Sequence, residues 1–261
     1  MLQCASGPAE DRSVLGRASL ILNCFKDDRP ALTLNELTKR CGLPRSTVHR
    51  FAEQLVGIAW LERTPAGYRV GTSLFEVGSQ ADKFTRLRAA AEPWMLKLHE
   101  TSRMCVHLAV LDGADVLYID KISARHIHLP SRVGGRMPAY CTALGRALLG
   151  HADDDEVELV LSNDLRALTP FTATSTDAVR ARIDEVRATG VAIEQEEAVR
   201  GFACVAAPIR GAGRAVAALS VTGLRDGFDV KQIAANVRAA ANGVWADRFV
   251  TRAAPVAART A

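Results

Sequence analysis

Residues 33–56, TLNELTKRCGLPRSTVHRFAEQLV, admit few structures. Thr33 and Glu36 stand at the spacing of a capping box, which predicts a helix start. Cys41-Gly42-Leu43 then supplies a turn, and Gly42 takes a positive φ without steric cost. Pro44 suits the first turn of a second helix, where its missing N–H is no loss. Beyond it, Val48, Phe51, Ala52 and Leu55 recur at spacings of three and four, so they share an inward face. Arg45, Ser46, Thr47, His49, Arg50 and Gln54 are left outside. Two short helices, a tight turn and a polar outer face on the second are the sequence form of a helix-turn-helix, whose second helix enters the major groove of DNA.

The flanks extend this module. Val14, Ala18, Ile21, Leu22 and Phe25 predict a preceding helix with one buried face, ended by Asp27-Asp28-Arg29-Pro30. Residues 60–63, a turn at 64–67 and residues 68–70 read as a β-hairpin, the wing of a winged helix-turn-helix. Residues 12–72 thus form one domain. They carry ten Lys/Arg against five Asp/Glu, whereas the remainder carries 23 against 24. A basic block on a near-neutral body fits a nucleic-acid module attached to something else. Ser73 and Glu76 repeat the capping-box spacing. Leu74, Val77, Ala81, Phe84 and Leu87 continue a helical stripe, so 73–91 is expected as a linker helix whose apolar side needs a partner, such as a second chain. Residues 1–11 read as a disordered leader and 252–261 as a flexible tail.

Residues 92–251 have a different pattern. A helix is expected from Trp94 to about Thr101. Strands follow at 104–111 and 116–121 around an Asp112-Gly113 turn. Helices are expected at 142–149 and 154–161. Val179, Ile183 and Val186 mark another, closed by Gly190. Strands at 202–210 and 214–222 and a final helix from Val230 to Trp245 complete the set. The fold class is α+β, an antiparallel sheet flanked by helices. A hydrophobic content of 48% with 24% charge is that of a globular chain. No apolar run is long enough for a membrane span. Six scattered cysteines without a CxxC pair predict reduced thiols and a cytoplasmic setting.

The blocks at 32–37 (LTLNEL), 42–50 (GLPRSTVHR), 67–71 (GYRVG), 138–149 (PAYCTALGRALL) and 201–209 (GFACVAAPI), in this order, resemble the IclR family of bacterial transcription regulators. The resemblance covers about residues 13–250. It implies a winged helix-turn-helix, a linker helix, a GAF-like effector domain, dimers or tetramers, and control of promoters by a small organic molecule. Within the family, Arg136 and 138–142 look closest to the branch governing breakdown of aromatic acids through protocatechuate and β-ketoadipate.

Site residues follow from both readings. For DNA, Pro44, Arg45, Ser46, Thr47, His49 and Arg50 begin the recognition helix, where side chains meet bases and phosphates. Arg69, with Arg63 nearby, is expected on the wing, and Arg17 on the outer side of the first helix. For the effector, Ala143 and Leu144 are expected to offer free backbone N–H groups to a carboxylate. Glu194, Cys204, Ser220 and Thr222 match the family's other ligand positions. Ser220 and Thr222 lie two apart in a strand and so share a face. Glu194 departs from the shorter aspartate of well-known members, and Phe202 beside it is bulky. His128, Leu129, Met137 and Tyr140 are candidate pocket walls. No cofactor is expected.

Two rival readings use the same residues. Cys105-x-His107 and His126-x-His128 offer four N/S donors for a metal if both segments are strands, which would make a metal- or redox-sensing regulator. Glu194, Glu196 and Glu197 would serve an enzyme acting on a small acid, although no GxSxG, P-loop or HExxH motif accompanies them.

Overall fold

A computed structural model describes residues 13–26, 29–80 and 82–247. The expected leader, the tail, the Asp27-Asp28 stop and Ala81 lie outside these. The chain forms two compact units that divide after Asp82.

In the first unit, α1 (Val14–Leu22) starts at Ser13, whose side chain accepts the Gly16 N–H at 3.0 Å. Helix α2 (Leu34–Cys41) begins with the predicted capping box: Thr33 Oγ1 accepts the Glu36 N–H at 3.3 Å, and the Glu36 carboxylate accepts the Thr33 N–H at 2.8 Å. It ends at Gly42 with φ +69°, a conformation that favours glycine. Pro44 caps α3 (Arg45–Gly57). Strands β1 (Leu61–Thr64) and β2 (Gly67–Val70) pair antiparallel as the wing. Leu32 and Tyr68 exchange two backbone bonds of 2.8 Å, so the wing is sewn to the residue just ahead of α2. Ile21, Leu37, Val48, Phe51, Ala52, Leu55, Leu61 and Tyr68 form the core. Val14 does not join the expected buried face; it is 67% exposed.

The linker differs from its sequence reading. Helix α4 (Thr72–Ser79) starts one residue early, and the Ser73–Glu76 box does not form. Glu62 of β1 accepts the Thr72 N–H and hydroxyl instead, at 3.2 and 3.0 Å. Helix α5 (Asp82–Ser102) then runs through Pro93 and across the expected 91/92 boundary. Pro93 removes one helical bond. The buried stripe Leu87, Ala91, Met95 and Leu98 on both sides of it outweighs that loss.

The second unit continues with β3 (Cys105–Asp112), β4 (Asp115–Ile122), β5 (Arg136–Pro138), α6 (Ala143–Leu149), α7 (Asp154–Leu161), α8 (Thr176–Thr189), β6 (Ala192–Gln195), β7 (Phe202–Ile209), β8 (Ala217–Leu224) and α9 (Val230–Trp245). The strands form one antiparallel sheet in the order β5-β4-β3-β8-β7-β6. The short edge strands β5 and β6 were not legible in the sequence, and β8 starts three residues later than expected. Helices α5 and α9 cover one face, burying Val106, Leu108, Val205, Leu219 and Val221. Helices α6, α7 and α8 cover the other, over Ala109, Val116, Tyr118, Cys204, Ala206 and Ala218. Both faces are covered, so the central strands read as apolar runs, and a polar residue within them is conspicuous. Helix α6 lies against the chain at Ala139 so closely that any Cβ on Gly145 would overlap that backbone.

Candidate functional site

The first unit presents the expected polar face. Pro44, Arg45, Ser46, His49 and Arg50 are exposed and Thr47 is half-buried, while Val48 and Phe51 turn inward. Arg45 is held by Asn35 Oδ1 of α2. The Arg50 guanidinium lies 5.3 Å from the centre of the Phe51 ring, a cation–π contact on an exposed side chain. On the wing, Arg69 pairs with its cross-strand neighbour Glu62 at 2.5 Å. Arg63 is drawn back to Glu53 of α3, which also accepts the Tyr68 hydroxyl at 2.8 Å. These pairs position the wing against α3. Arg17 is half-buried on α1 rather than fully outside.

The second unit holds a cavity between α6 and the sheet, about 420 Å³ of atom-free space with its mouth included. Several chain segments line it. Ala143 and Leu144 come from the start of α6, Glu194 from β6, Cys204 from β7, and Ser220 and Thr222 from β8. Leu129 and Met137 contribute from the β4–α6 connection. Thr142 caps α6 by accepting the Gly145 N–H at 3.1 Å, so the N–H groups of Ala143 and Leu144, first in the helix, have no helical acceptor.

Two expected wall residues are elsewhere. His128 is exposed, because the loop turns Ile127 inward in its place. Tyr140 is buried beneath α6, donating its hydroxyl to the Arg166 carbonyl. Arg136 sits on the edge strand, paired with Asp112. The metal reading loses its geometric premise, since residues 126–128 are not a strand.

Glu194 is almost fully buried. One carboxylate oxygen accepts the N–H groups of Glu197 and Ala198 at 2.5 and 3.1 Å. Burial nonetheless pushes its pKa up to about 7, against the pull of those bonds. Its neighbours Glu196 and Glu197 are structural. Arg146, 1% exposed, binds Glu197 at 2.8 Å and the Ile193 carbonyl at 3.0 Å. Arg225 binds Glu196 at 2.7 Å. Thr222 donates to the Cys204 sulfur at 3.1 Å. Burial raises the Cys204 thiol to about 12, which makes it an inert wall.

A basic helix-turn-helix joined to a domain with an internal, half-polar cavity is the plan of a ligand-controlled DNA reader. Comparison with known proteins decides the matter. Residues 14–65 match the IclR helix-turn-helix domain, and residues 80–245 match the C-terminal domain of the bacterial transcriptional regulator IclR. This chain belongs to the IclR family. It is 30% identical over 223 residues to the HTH-type transcriptional regulator XynR of Escherichia coli K12, covering 84% of this chain and 88% of that one. It is 29% identical over 225 residues to the Pca regulon regulatory protein of Pseudomonas putida, covering 85% and 77%. Among solved structures, an IclR homolog of Microbacterium hydrocarbonoxydans complexed with 4-hydroxybenzoate superposes with a TM-score of 0.83 at 31% identity, over 91% of this chain and all of that one. This IclR protein is therefore a ligand-responsive, DNA-binding transcription regulator.

Sequence reasoning missed several residues at the cavity of this IclR regulator. His107, Tyr118, Ser131, Thr142, Ala198 and Val199 also line it. The sequence offers His107 only as a metal ligand, in the Cys105-x-His107 pair. The available signal was a histidine inside the apolar run of β3, a polar group that burial requires to be explained.

Proposed function

We propose that the cavity of the second unit is the effector site and that its effector is a small organic acid, an aromatic one. The observation that carries this reading is the cavity's composition. Ala143, Leu144, Glu194, Cys204, Ser220 and Thr222, from four separate elements, line one space with Tyr118, Phe202 and Met137. The helical N–H groups suit a carboxylate oxygen, and the aromatic and thioether walls suit a flat ring. The 4-hydroxybenzoate held by the Microbacterium homolog supports the aromatic assignment, as does the likeness to a Pca regulon regulator.

In this reading Pro44, Arg45, Ser46, Thr47, His49 and Arg50 meet an operator of double-stranded DNA, with Arg69 and Arg17 at its edges. The protein is cytoplasmic, has no enzymatic activity and works as a homodimer or homotetramer on a roughly palindromic site. Unpartnered apolar side chains support the oligomer: Phe75 and Val77 of α4 are 75% and 63% exposed, and Leu15 of α1 is 78% exposed. The effector prefers one conformational state of the protein, and DNA affinity shifts with the population of that state. A thermal-shift screen with aromatic and aliphatic carboxylates tests the site. A ligand at 100 times its Kd adds about 2.7 kcal/mol of stability. The same ligand must then change operator binding in a gel-shift assay. A screen in which no carboxylate moves Tm sinks the reading.

A further inference from the structure

Among the described residues, four buried side-chain atoms lack a hydrogen-bond partner: His107 Nδ1, Arg146 Nε, His151 Nε2 and Ser220 Oγ. Two of them, on His107 and Ser220, belong to residues that line the cavity. They are also neighbours, since His107 of β3 stands directly opposite Ser220 of β8 in the sheet register. Side chains so placed lie on one face at close range. Ser220 Oγ lies near the Cys204 sulfur, a weak acceptor, but finds no partner of hydrogen-bonding geometry. A buried polar atom left unpaired in the protein is costly, and two on neighbouring residues that line one cavity point to a group that arrives with the ligand.

The imidazole is prepared for that group. His107 is 2% exposed. Its Nε2 is held by Ser131 Oγ at 2.9 Å. Ser131 is in turn held through its carbonyl by the ammonium of Lys121, the cross-strand partner of His107 on β4, at 2.5 Å. The Tyr118 ring stands edge-on to the imidazole, 5.3 Å between centres. The ring therefore cannot swing, and Nδ1 is its one open position. Burial, with the Lys121 charge second, drives its pKa down to about 3, so it is neutral at physiological pH. Among the described residues, no lysine or arginine lines the cavity, and Glu194 is the one carboxyl group that does.

We infer that His107 and Ser220 together bind an uncharged hydroxyl of the effector, so that the effector is a monocarboxylic acid bearing a hydroxyl group. This rests on the cavity being the effector site. A neutral imidazole nitrogen and a serine hydroxyl complement a group that both donates and accepts. A second carboxylate at that position would bring another negative charge into a buried space that already holds Glu194. A site built to hydrogen-bond a hydroxyl also discriminates strongly against the analogue without it, because its own polar atoms are then left unpaired.

Isothermal titration of the full-length protein with matched acids tests this. The pairs are benzoate with its three monohydroxy isomers, butyrate with 2- and 3-hydroxybutyrate, and terephthalate as a diacid. In the wild type, one hydroxy acid binds about tenfold or more tighter than its parent, and terephthalate binds no better than benzoate. His107→Phe brings the hydroxy acid and its parent to within about twofold of each other. Ser131→Ala, which releases the imidazole but leaves it in place, lowers the ratio partway. Thermal melts of each variant check folding, and the wild-type ratio needs no variant. Acids that bind without discrimination, or a ratio unchanged in a folded His107→Phe, overturn the inference alone. Silence from every acid overturns the effector site and this inference with it.

Discussion

Glu194 carries an ionisable group where burial opposes its charge, and the consequence has a definite sign. Its folded-state pKa, about 7, lies above its ordinary value of 4.5. The stability it contributes is complete below about 4.5 and is lost as pH rises through 7. Glu194→Gln imitates the protonated form. Between pH 5.5 and 8.5 the wild type should therefore lose Tm relative to Glu194→Gln, and parallel curves would show that the carboxyl is not held against ionisation. A second residue-scale contrast lies among the thiols. Cys41 is half-buried, and the neighbouring Cys24 thiol draws its pKa below the ordinary thiol range. Cys105, Cys141 and Cys204 are buried. Maleimide labelling at pH 7, read by peptide mass spectrometry, should modify Cys41 first among the described cysteines. Prior modification of Cys204 would contradict the packing described.

Helix α6 is the element on which the cavity depends. It is seven residues long, wholly buried, and too short to be stable alone. Among the contacts that hold it are the Thr142 cap, the close approach of Gly145 to Ala139, and the Arg146–Glu197 pair. The pair ties α6 to the β6–β7 connection, which itself supplies Ala198 and Val199 to the cavity. Removing one member of a buried pair strands the other charge, so Arg146→Met should cost about 3–5 kcal/mol in urea unfolding. Adding Glu197→Leu should recover a large part of that loss. A single variant within about 1 kcal/mol of the wild type would mean that the pair is not the anchor of α6.

At the scale of the whole molecule, the output is DNA affinity, and its two arginines divide by position. Arg45 opens α3, the part that meets base edges in the proposed DNA complex, whereas Arg50 lies further along over Phe51. Arg50→Ala should weaken binding to operator and random DNA alike. It should also flatten the slope of log K against log salt by about 0.9, the loss of one phosphate contact. Arg45→Ala should weaken the operator by more than it weakens random DNA. Fluorescence anisotropy across a salt series separates the two, and identical salt slopes for wild type and Arg50→Ala would remove Arg50 from the backbone contacts.

Local chemistry made the first unit readable in advance. The Thr33–Glu36 box, the positive φ of Gly42 and the 48-51-52-55 stripe act within a few residues, so their pattern survives in the linear chain. The family blocks likewise pointed to Glu194, Cys204, Ser220 and Thr222. Non-local facts were not readable. Glu62 displaced the Ser73–Glu76 box because pairing of β1 with β2 brought it to Thr72. The stripe around Pro93 kept α5 whole because the sheet lay beneath it. His128 turned outward, and His107 became a cavity residue, because strand register and the course of the 123–135 loop govern which side chains face α6. Spacing along the chain sets which residues share a face, and the pairing of distant strands sets what that face encloses.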